Sequence, residues 1–448
     1  MAARHARLGE GFFYVAVSAG MAISNAAFAM VSGLFALVPA SLGVLALAIA
    51  GGVCVVIAAS IGELASMWPS SPAVLTYFRQ AFGPRAALVL IHLYLLFVVT
   101  IAGVESSSFA LAVHAVLPQV PTVATIMLLL AAVVLVNLRG LELSRRMQIV
   151  TAFASIALIV GFGVAGIGAR ARPLLDVPTP PQWAGLPAAT ALAVFIYTGF
   201  EWVTPVGLSR QAYARRVPRA MLIALALLFV TYALFVAGLG AVLPGAALAA
   251  SATPQVTLFG ALAGKGGQAL ALLLAFGAIF STFNAGILGG SQLLQAMARE
   301  RSLPAWVGWI DLDSGAPTGA VLLLGGLALV SALMVATFDL ILVAGLIASA
   351  AICLIYACYV GAAERLRRVL PDHPRPFRTR VPVAARYATI AAMPVIGVAS
   401  LVSIPALARP IAIGTAGAVL LVAALTLYSL RLRAQPPVRR VASAREGL

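Results

Sequence analysis

Residues 195–205 read FIYTGFEWVTP, and they lie within an apolar segment long enough to cross a membrane as a helix. The stretch nevertheless contains Gly199, Glu201 and Pro205. Because an interrupted helix in lipid leaves backbone N–H and C=O groups without partners, such a break is tolerated only inside protein or beside a water-filled cavity. The pattern therefore predicts a broken membrane helix that lines a buried cavity.

The composition of the whole chain supports a membrane setting. Of its 448 residues 62% are hydrophobic and 9% are charged, and the mean hydropathy is +1.06. Apolar runs recur along the chain, and a run of about 20 residues spans the hydrocarbon layer as a helix. The sequence predicts an all-α membrane protein.

Segmentation of the apolar runs predicts twelve transmembrane helices. With the N-terminus placed inside, most of the 29 Lys and Arg residues fall in inner loops, as the positive-inside rule requires. Both termini are therefore predicted to be cytoplasmic, in a multi-pass protein of the cell inner (plasma) membrane. The net charge of +16 is a topology signal, so we expect no nucleic-acid partner. The basic, Pro-rich connector 364–385 is expected to lie at the lipid headgroups.

The first span contains a similar interruption, AMVSGLFALVP at residues 29–39. Ser32-Gly33 and Pro39 there parallel Thr198-Gly199 and Pro205 in the sixth span, which favours a five-plus-five inverted repeat (LeuT-like) with broken helices 1 and 6. The predicted units are 12–168 for the first repeat, 187–362 for the second, 386–430 for two extra C-terminal helices and 431–448 for a cytoplasmic basic tail.

Three further stretches carry a family resemblance: IGELASMWPSSPAVLTYFRQAFGPR at 61–85, FIYTGFEWVTPVGLSRQAYARRVPRAM at 195–221, and FNAGILGGSQLLQAMARERSLPAW at 283–306. Together they resemble the amino acid–polyamine–organocation (APC) superfamily of permeases over about residues 12–430. The sequence departs from the family pattern at Val31, at Pro72-Ala73 and in span 5, which has no lysine. A lysine-based proton switch is therefore excluded.

The resemblance implies a substrate site at the two breaks. Helix N-terminal amides favour an anion and helix C-terminal carbonyls favour a cation, so broken helices suit an amino acid zwitterion. By resemblance, the substrate carboxylate would meet Ser32 and Gly33, and its amine would meet carbonyls near Ala29, Phe195 and Thr198. The predicted binding residues are Ala29, Ser32, Gly33, Phe195, Tyr197, Thr198, Gly199 and Trp202. Because the Val31 side chain narrows the approach of a substrate carboxylate to the backbone, a substrate without a carboxylate is also conceivable. The alternative role of Gly33 and Gly199 is to allow close helix packing only.

Acids inside the spans are candidates for function because they are costly in a membrane. Glu201 resembles a family glutamate linked to pH sensing and is the proton-coupling candidate; a structural hydrogen bond is the alternative. Glu105 is predicted to contact a substrate side chain or to fill a polar gap between helices. Trp202 is either a lid over the substrate or a packing residue, and Asn284 is expected to pair helices.

The leading functional hypothesis is a secondary transporter of amino acids or closely related amines, by proton symport or by exchange. A substrate-binding sensor without transport is one alternative, and a membrane-embedded enzyme is the weaker one, because no nucleophile–base motif occurs. The expected partners are a small-molecule substrate, protons and membrane lipids. No cofactor and no metal site are expected, since Cys54, Cys353 and Cys358 lack metal-ligand spacing.

Overall fold

The computed structural model describes residues 2–69, 73–139, 141–169, 171–173, 178–206, 210–402 and 405–434. Pro72 and the tail beyond Ala434 therefore lie outside the described residues. Sixteen α-helices follow one another in these ranges: α1 Ala2–Ala22, α2 Asn25–Leu37, α3 Ala40–Met67, α4 Ala73–Phe82, α5 Pro84–Val116, α6 Thr122–Leu138, α7 Leu141–Ala169, α8 Pro180–Trp183, α9 Leu186–Tyr197, α10 Arg210–Val242, α11 Gly245–Ala249, α12 Pro254–Arg299, α13 Thr318–Thr337, α14 Ile341–Val369, α15 Val383–Val402 and α16 Ala408–Ala434.

The described part of the chain contains helices and short 3-10 turns without any strand, which confirms the all-α prediction. Within the described ranges, ten helical segments are long and apolar enough to cross a membrane, and the bent pair α1 and α2 would be an eleventh span. Helix α6 is apolar but has only 17 residues. The count of twelve spans and the inverted repeat stay predictions.

The break in the first span lies at Ile23 and Ser24, where the axes of α1 and α2 differ by 52°. The expected position at Ser32-Gly33 is wrong, because both residues lie inside α2. The Ser24 side chain accepts a hydrogen bond from the amide of Ala27 at 3.1 Å, so it caps the new helix. A methyl group on Gly33 would lie 3.0 Å from the Leu192 side chain, which supports the alternative that this glycine allows close packing.

The break in the sixth span lies where the sequence predicts it. Helix α9 ends at Tyr197, and Gly199 adopts φ +112°, a left-handed conformation that favours glycine. A 3-10 turn at Phe200–Val203 follows. The predicted interruption within residues 195–205 is therefore confirmed, and it is a change of helix type around one glycine.

The two broken spans pack against each other near the centre of the bundle. Helix α2 lies against α9, and α1 lies against the turn Phe200–Val203. Small residues permit such close crossings elsewhere in the bundle. Where α7 meets α10, a methyl group on Gly163 or Gly238 would lie 2.8 or 2.5 Å from the backbone of the other helix.

The connector after α14 folds onto the end of α3. Glu63, which is 1% exposed, forms ion pairs with Arg367 and with Arg375, the latter at 3.2 Å. It also accepts a hydrogen bond from the amide of Thr379 at 3.0 Å. The carbonyl of Phe377 accepts a bond from the α3 residue Ser66 at 3.1 Å. The connector therefore supplies the partners of a buried acid, and its position at the lipid headgroups stays a prediction.

Candidate functional site

A small buried cavity of ≈ 30 Å³ lies between the two breaks. Its volume accommodates about two water molecules. Six of the predicted site residues are among those that line it, namely Glu105, Phe195, Thr198, Gly199, Glu201 and Trp202. The other lining residues are Met21, Ser24, Phe97, Ile101 and Thr282. The structure therefore brings the sixth-span break, the first-span break and the acid of α5 to one place.

Glu105 caps the start of α2. Its carboxylate is 2% exposed, and Oε2 accepts hydrogen bonds from the amides of Asn25 at 2.9 Å and Ala26 at 3.2 Å. The next amide, of Ala27, donates to Ser24 instead. The helix N-terminus and the carboxylate attract each other, because the helix end carries a partial positive charge. Glu105 thus holds α5 against the first-span break.

Glu201 is completely buried and is surrounded by hydrogen-bond donors. The hydroxyls of Tyr94 and Tyr356 donate to its carboxylate at 3.0 and 2.7 Å, and the amide of Gly199 donates at 3.2 Å. The tyrosines belong to α5 and α14, so the acid connects the broken sixth span to two neighbouring helices. The structural hydrogen bond expected as one alternative is present, and proton coupling stays a prediction.

Trp202 is fixed in the wall of the cavity. Its Nε1 donates to the carbonyl of Ala285 at 2.7 Å, and its ring centroid lies 5.1 Å from that of Tyr94. The Trp202 side chain is fully buried. A methyl group on Gly289 would lie 2.8 Å from Trp202 Nε1, so the indole fits against α12 without a gap. These contacts favour the packing alternative over a mobile lid.

Backbone carbonyls at the end of α1 accept hydrogen bonds from polar side chains. The Thr282 hydroxyl lies 3.4 Å from the carbonyl oxygen of Gly20 and 3.2 Å from that of Ile23. The Tyr232 hydroxyl donates to the carbonyl of Ala22 at 2.9 Å. Helix C-terminal carbonyls favour cations, so this side of the cavity is partially negative.

Four predicted site residues do not line the cavity. Ala29, Ser32 and Gly33 lie further along α2, and the Tyr197 hydroxyl donates to the carbonyl of Leu47 in α3 at 3.1 Å. Their binding roles stay predictions that the cavity geometry does not favour. Sequence reasoning missed Ser24, Thr282, Tyr94 and Tyr356, and the available signal was that each is a polar group within an apolar segment.

A second cavity of ≈ 40 Å³ adjoins the first and shares Met21, Ile101, Glu105 and Thr282 with it. The remaining lining is apolar apart from backbone atoms: Val98, Val99, Ala102, Phe283, Gly286, Ile287, Leu324 and Ala328. Glu105 therefore lies at the boundary between a polar compartment and an apolar one.

A neutral polar network ties the fifth span to its neighbours. Gln148 of α7 donates to the carbonyl of Ala16 at 3.2 Å and to Ser281 at 2.8 Å, and its side-chain oxygen accepts a bond from Asn284 at 3.1 Å. Asn284 also accepts a bond from Asn137 of α6 at 2.9 Å. The expected pairing of helices by Asn284 is therefore present. Within the described ranges, no group of three or more His, Cys, Asp or Glu side chains could hold a metal ion.

Comparison with known proteins places this geometry in context. L-asparagine permease 1 of Mycobacterium tuberculosis is 25% identical over 292 residues, which is 61% of this chain and 60% of the permease, so the match spans about three fifths of that relative. An uncharacterized transporter of the same organism is 29% identical over 326 residues, 71% of this chain and 69% of that protein.

Solved structures show the same fold at low sequence identity. A manganese transporter of Eremococcus coleocola matches with a TM-score of 0.58 and 15% identity over 94% of both chains. The model of the family described as amino acid permease matches residues 15–436. With its broken spans and buried central cavity, the chain belongs to the amino acid permease family.

Proposed function

We propose that this protein is a secondary transporter that moves amino acids or closely related amines across the cell membrane by alternating access. The observation that carries the proposal is the meeting of both broken spans at one buried cavity that contains two carboxylates. Such helix ends and intramembrane acids are typical of substrate and ion sites in transporters. The family membership and the names of the relatives support the same class of function.

The positions of the contacts suggest how the site would change during transport. Glu105 and Glu201 tie the broken spans to α5 and α14 across the cavity. At one end of the bundle, Glu63 and Arg367 tie α3 to α14. By the positive-inside rule this end faces the cytoplasm, so its opening would release substrate inward. Alternating access then requires that the ion pairs at this end separate while the central contacts rearrange.

Two coupling modes follow from the site. In proton symport, Glu201 would bind a proton in one state of the carrier and release it in the other. In exchange, one substrate would leave before another enters, and Glu201 would only sense pH. The neutral Gln148 in the fifth span provides no basic group for the coupling step.

The test uses purified protein in liposomes and labelled amino acids and amines. Uptake into empty liposomes that requires an inward proton gradient would establish symport, and uptake that requires internal substrate would establish exchange. The variant Glu201→Gln should flatten the pH dependence of symport, since glutamine does not titrate. Specific binding without uptake would indicate a sensor, and neither binding nor uptake of any such compound would refute the proposal.

A further inference from the structure

The position that would bind a substrate carboxylate is already occupied by the protein. The amides that begin a helix are its strongest anion-binding groups, and the first two amides of α2 donate to Glu105. A zwitterionic substrate placed there would bring a second carboxylate against a buried one. Two carboxylates in contact repel each other unless a proton or a cation lies between them.

The second break repeats this arrangement. The amide of Gly199 donates to Glu201, whose two carboxylate oxygens also receive the hydroxyls of Tyr94 and Tyr356. At both breaks, amides that could bind an anion are therefore already bonded to a carboxylate. The carbonyl ends of α1 and α9 also lie near the cavity, and those of α1 accept bonds from Thr282 and Tyr232. Among the described residues that line either cavity, none is lysine, arginine or histidine. With its carboxylates ionised, the site prefers a cation electrostatically.

The shape of the site adds a second requirement. Glu105 and Thr282 line both cavities, and beyond them the second cavity presents only apolar side chains such as Val98, Phe283 and Leu324. A polar head beside Glu105 would thus continue into an apolar space of ≈ 40 Å³. Small-molecule sites commonly combine a few placed polar groups with an apolar lining.

We propose that the substrate is a small amine that lacks a carboxylate and carries a short aliphatic tail, with Glu105 as its counter-ion. This inference rests on the proposed transport function and narrows its substrate class. Glu105 then supplies inside the protein the negative charge that an amino acid would bring with it. The ammonium group lies between Glu105 and the carbonyl end of α9 around Thr198, and the tail extends toward Leu324.

The experiment measures competition within matched pairs on wild-type protein in liposomes. Each pair consists of an aliphatic amino acid and its decarboxylation product: alanine and ethylamine, valine and isobutylamine, leucine and isopentylamine. The expected result is that each amine inhibits uptake of labelled isobutylamine at a concentration at least about tenfold lower than its parent amino acid, since a tenfold ratio is a modest difference in binding.

The variant Glu105→Gln tests the residue itself. Glutamine keeps an oxygen that can accept from the amides of α2 but removes the charge, so amine affinity should fall about 30-fold or more, as for one partner of a buried charge pair. The matched control Glu300→Gln removes a carboxylate that pairs with Arg79 and Arg433 at the end of α12, outside both cavities. It should leave the ratio of amine to amino acid affinity unchanged.

The outcomes are distinguishable. Amino acid uptake that decarboxylated amines fail to inhibit would overturn this inference and leave the proposed transport function standing. An unchanged substrate ratio in a folded Glu105→Gln variant would overturn the role of Glu105. If that variant does not fold, the wild-type pairs still decide the substrate class. Absence of uptake of every compound by folded wild-type protein would overturn both proposals together.

Discussion

The hydrogen bond between Tyr356 and Glu201 offers the sharpest test of the charge at the sixth-span break. The Tyr356 hydroxyl donates to Glu201 Oε2 at 2.7 Å, and both groups are fully buried. The substitution Tyr356→Phe removes only this hydroxyl, since the ring keeps its packing against Phe200 at a centroid distance of 5.7 Å. The Oε2 atom then retains the amide of Gly199 as its other partner.

The expected magnitude depends on whether Glu201 is ionised. A hydrogen bond to a charged group contributes about 1.5–3 kcal/mol, whereas a neutral one contributes about 0.5–1.5 kcal/mol. Tyr356→Phe should therefore lower the free energy of unfolding by about 1.5–3 kcal/mol in the wild type and by about 1 kcal/mol less in a Glu201→Gln background. The difference is the coupling energy of the double-mutant cycle.

The assay is equilibrium unfolding of the purified protein in mixed micelles at increasing SDS, measured for wild type, both single variants and the double variant. Tyr232→Phe is the matched control, because this buried hydroxyl donates to the backbone carbonyl of Ala22 instead of a carboxylate. Its cost should be the same with and without Glu201→Gln. An equal cost of Tyr356→Phe in both backgrounds would refute the reasoning that an ionised Glu201 is held by this hydroxyl.

Three other substitutions test the fold around the site. Gly199→Ala should cost about 1–3 kcal/mol of unfolding free energy because alanine disfavours φ +112°, whereas Gly345→Ala, on an open helix face, should cost nothing in the same SDS titration. Asn284→Ala should lower the free energy of unfolding by about 3 kcal/mol, since it leaves its buried partners Asn137 and Gln148 unsatisfied. An SDS unfolding midpoint equal to that of the wild type would contradict this. Glu63→Gln should weaken the ion pair with Arg367 that joins α3 to α14. A cysteine introduced at this end of the bundle should then react faster with a thiol reagent, and an unchanged rate would argue that the ion pair does not keep this end closed.

The sixth-span break was predictable because its signals are local. Gly199 supplies a left-handed conformation, and Pro205 ends the helical pattern nearby, so sequence alone placed the interruption within a residue of its observed position. The first-span break carries neither residue type. Ser24 and Asn25 begin α2 with a side-chain cap, which is a weaker signal than the Ser32-Gly33 pair that lies within regular helix.

The partners of the acids were not predictable, for a geometric reason. Glu105 and the amide of Asn25 are 80 residues apart in the chain, and their meeting depends on the rotation of α5 about its axis. Uniformly apolar helices give little information on that rotation, because lipid-facing and protein-facing residues are alike in polarity. The sequence therefore singled out the two acids that line the cavity, and their hydrogen-bond partners followed only from the packed helices.

A membrane helix that carries a breaker and an acid together is less costly than one that carries either alone. A break leaves amides without partners in a medium that offers none, and an intramembrane carboxylate costs about 2.5–3.5 kcal/mol at the helix centre. In the sixth span these two costs offset each other, because Glu201 accepts from Gly199. At the first break the acid comes from the neighbouring helix α5, where Glu105 accepts from Asn25 and Ala26. The same pairing leaves negative charge beside the cavity with no basic side chain among its described lining residues. If the substrate is the amine proposed above, the charge that stabilises the breaks is also the charge that selects it.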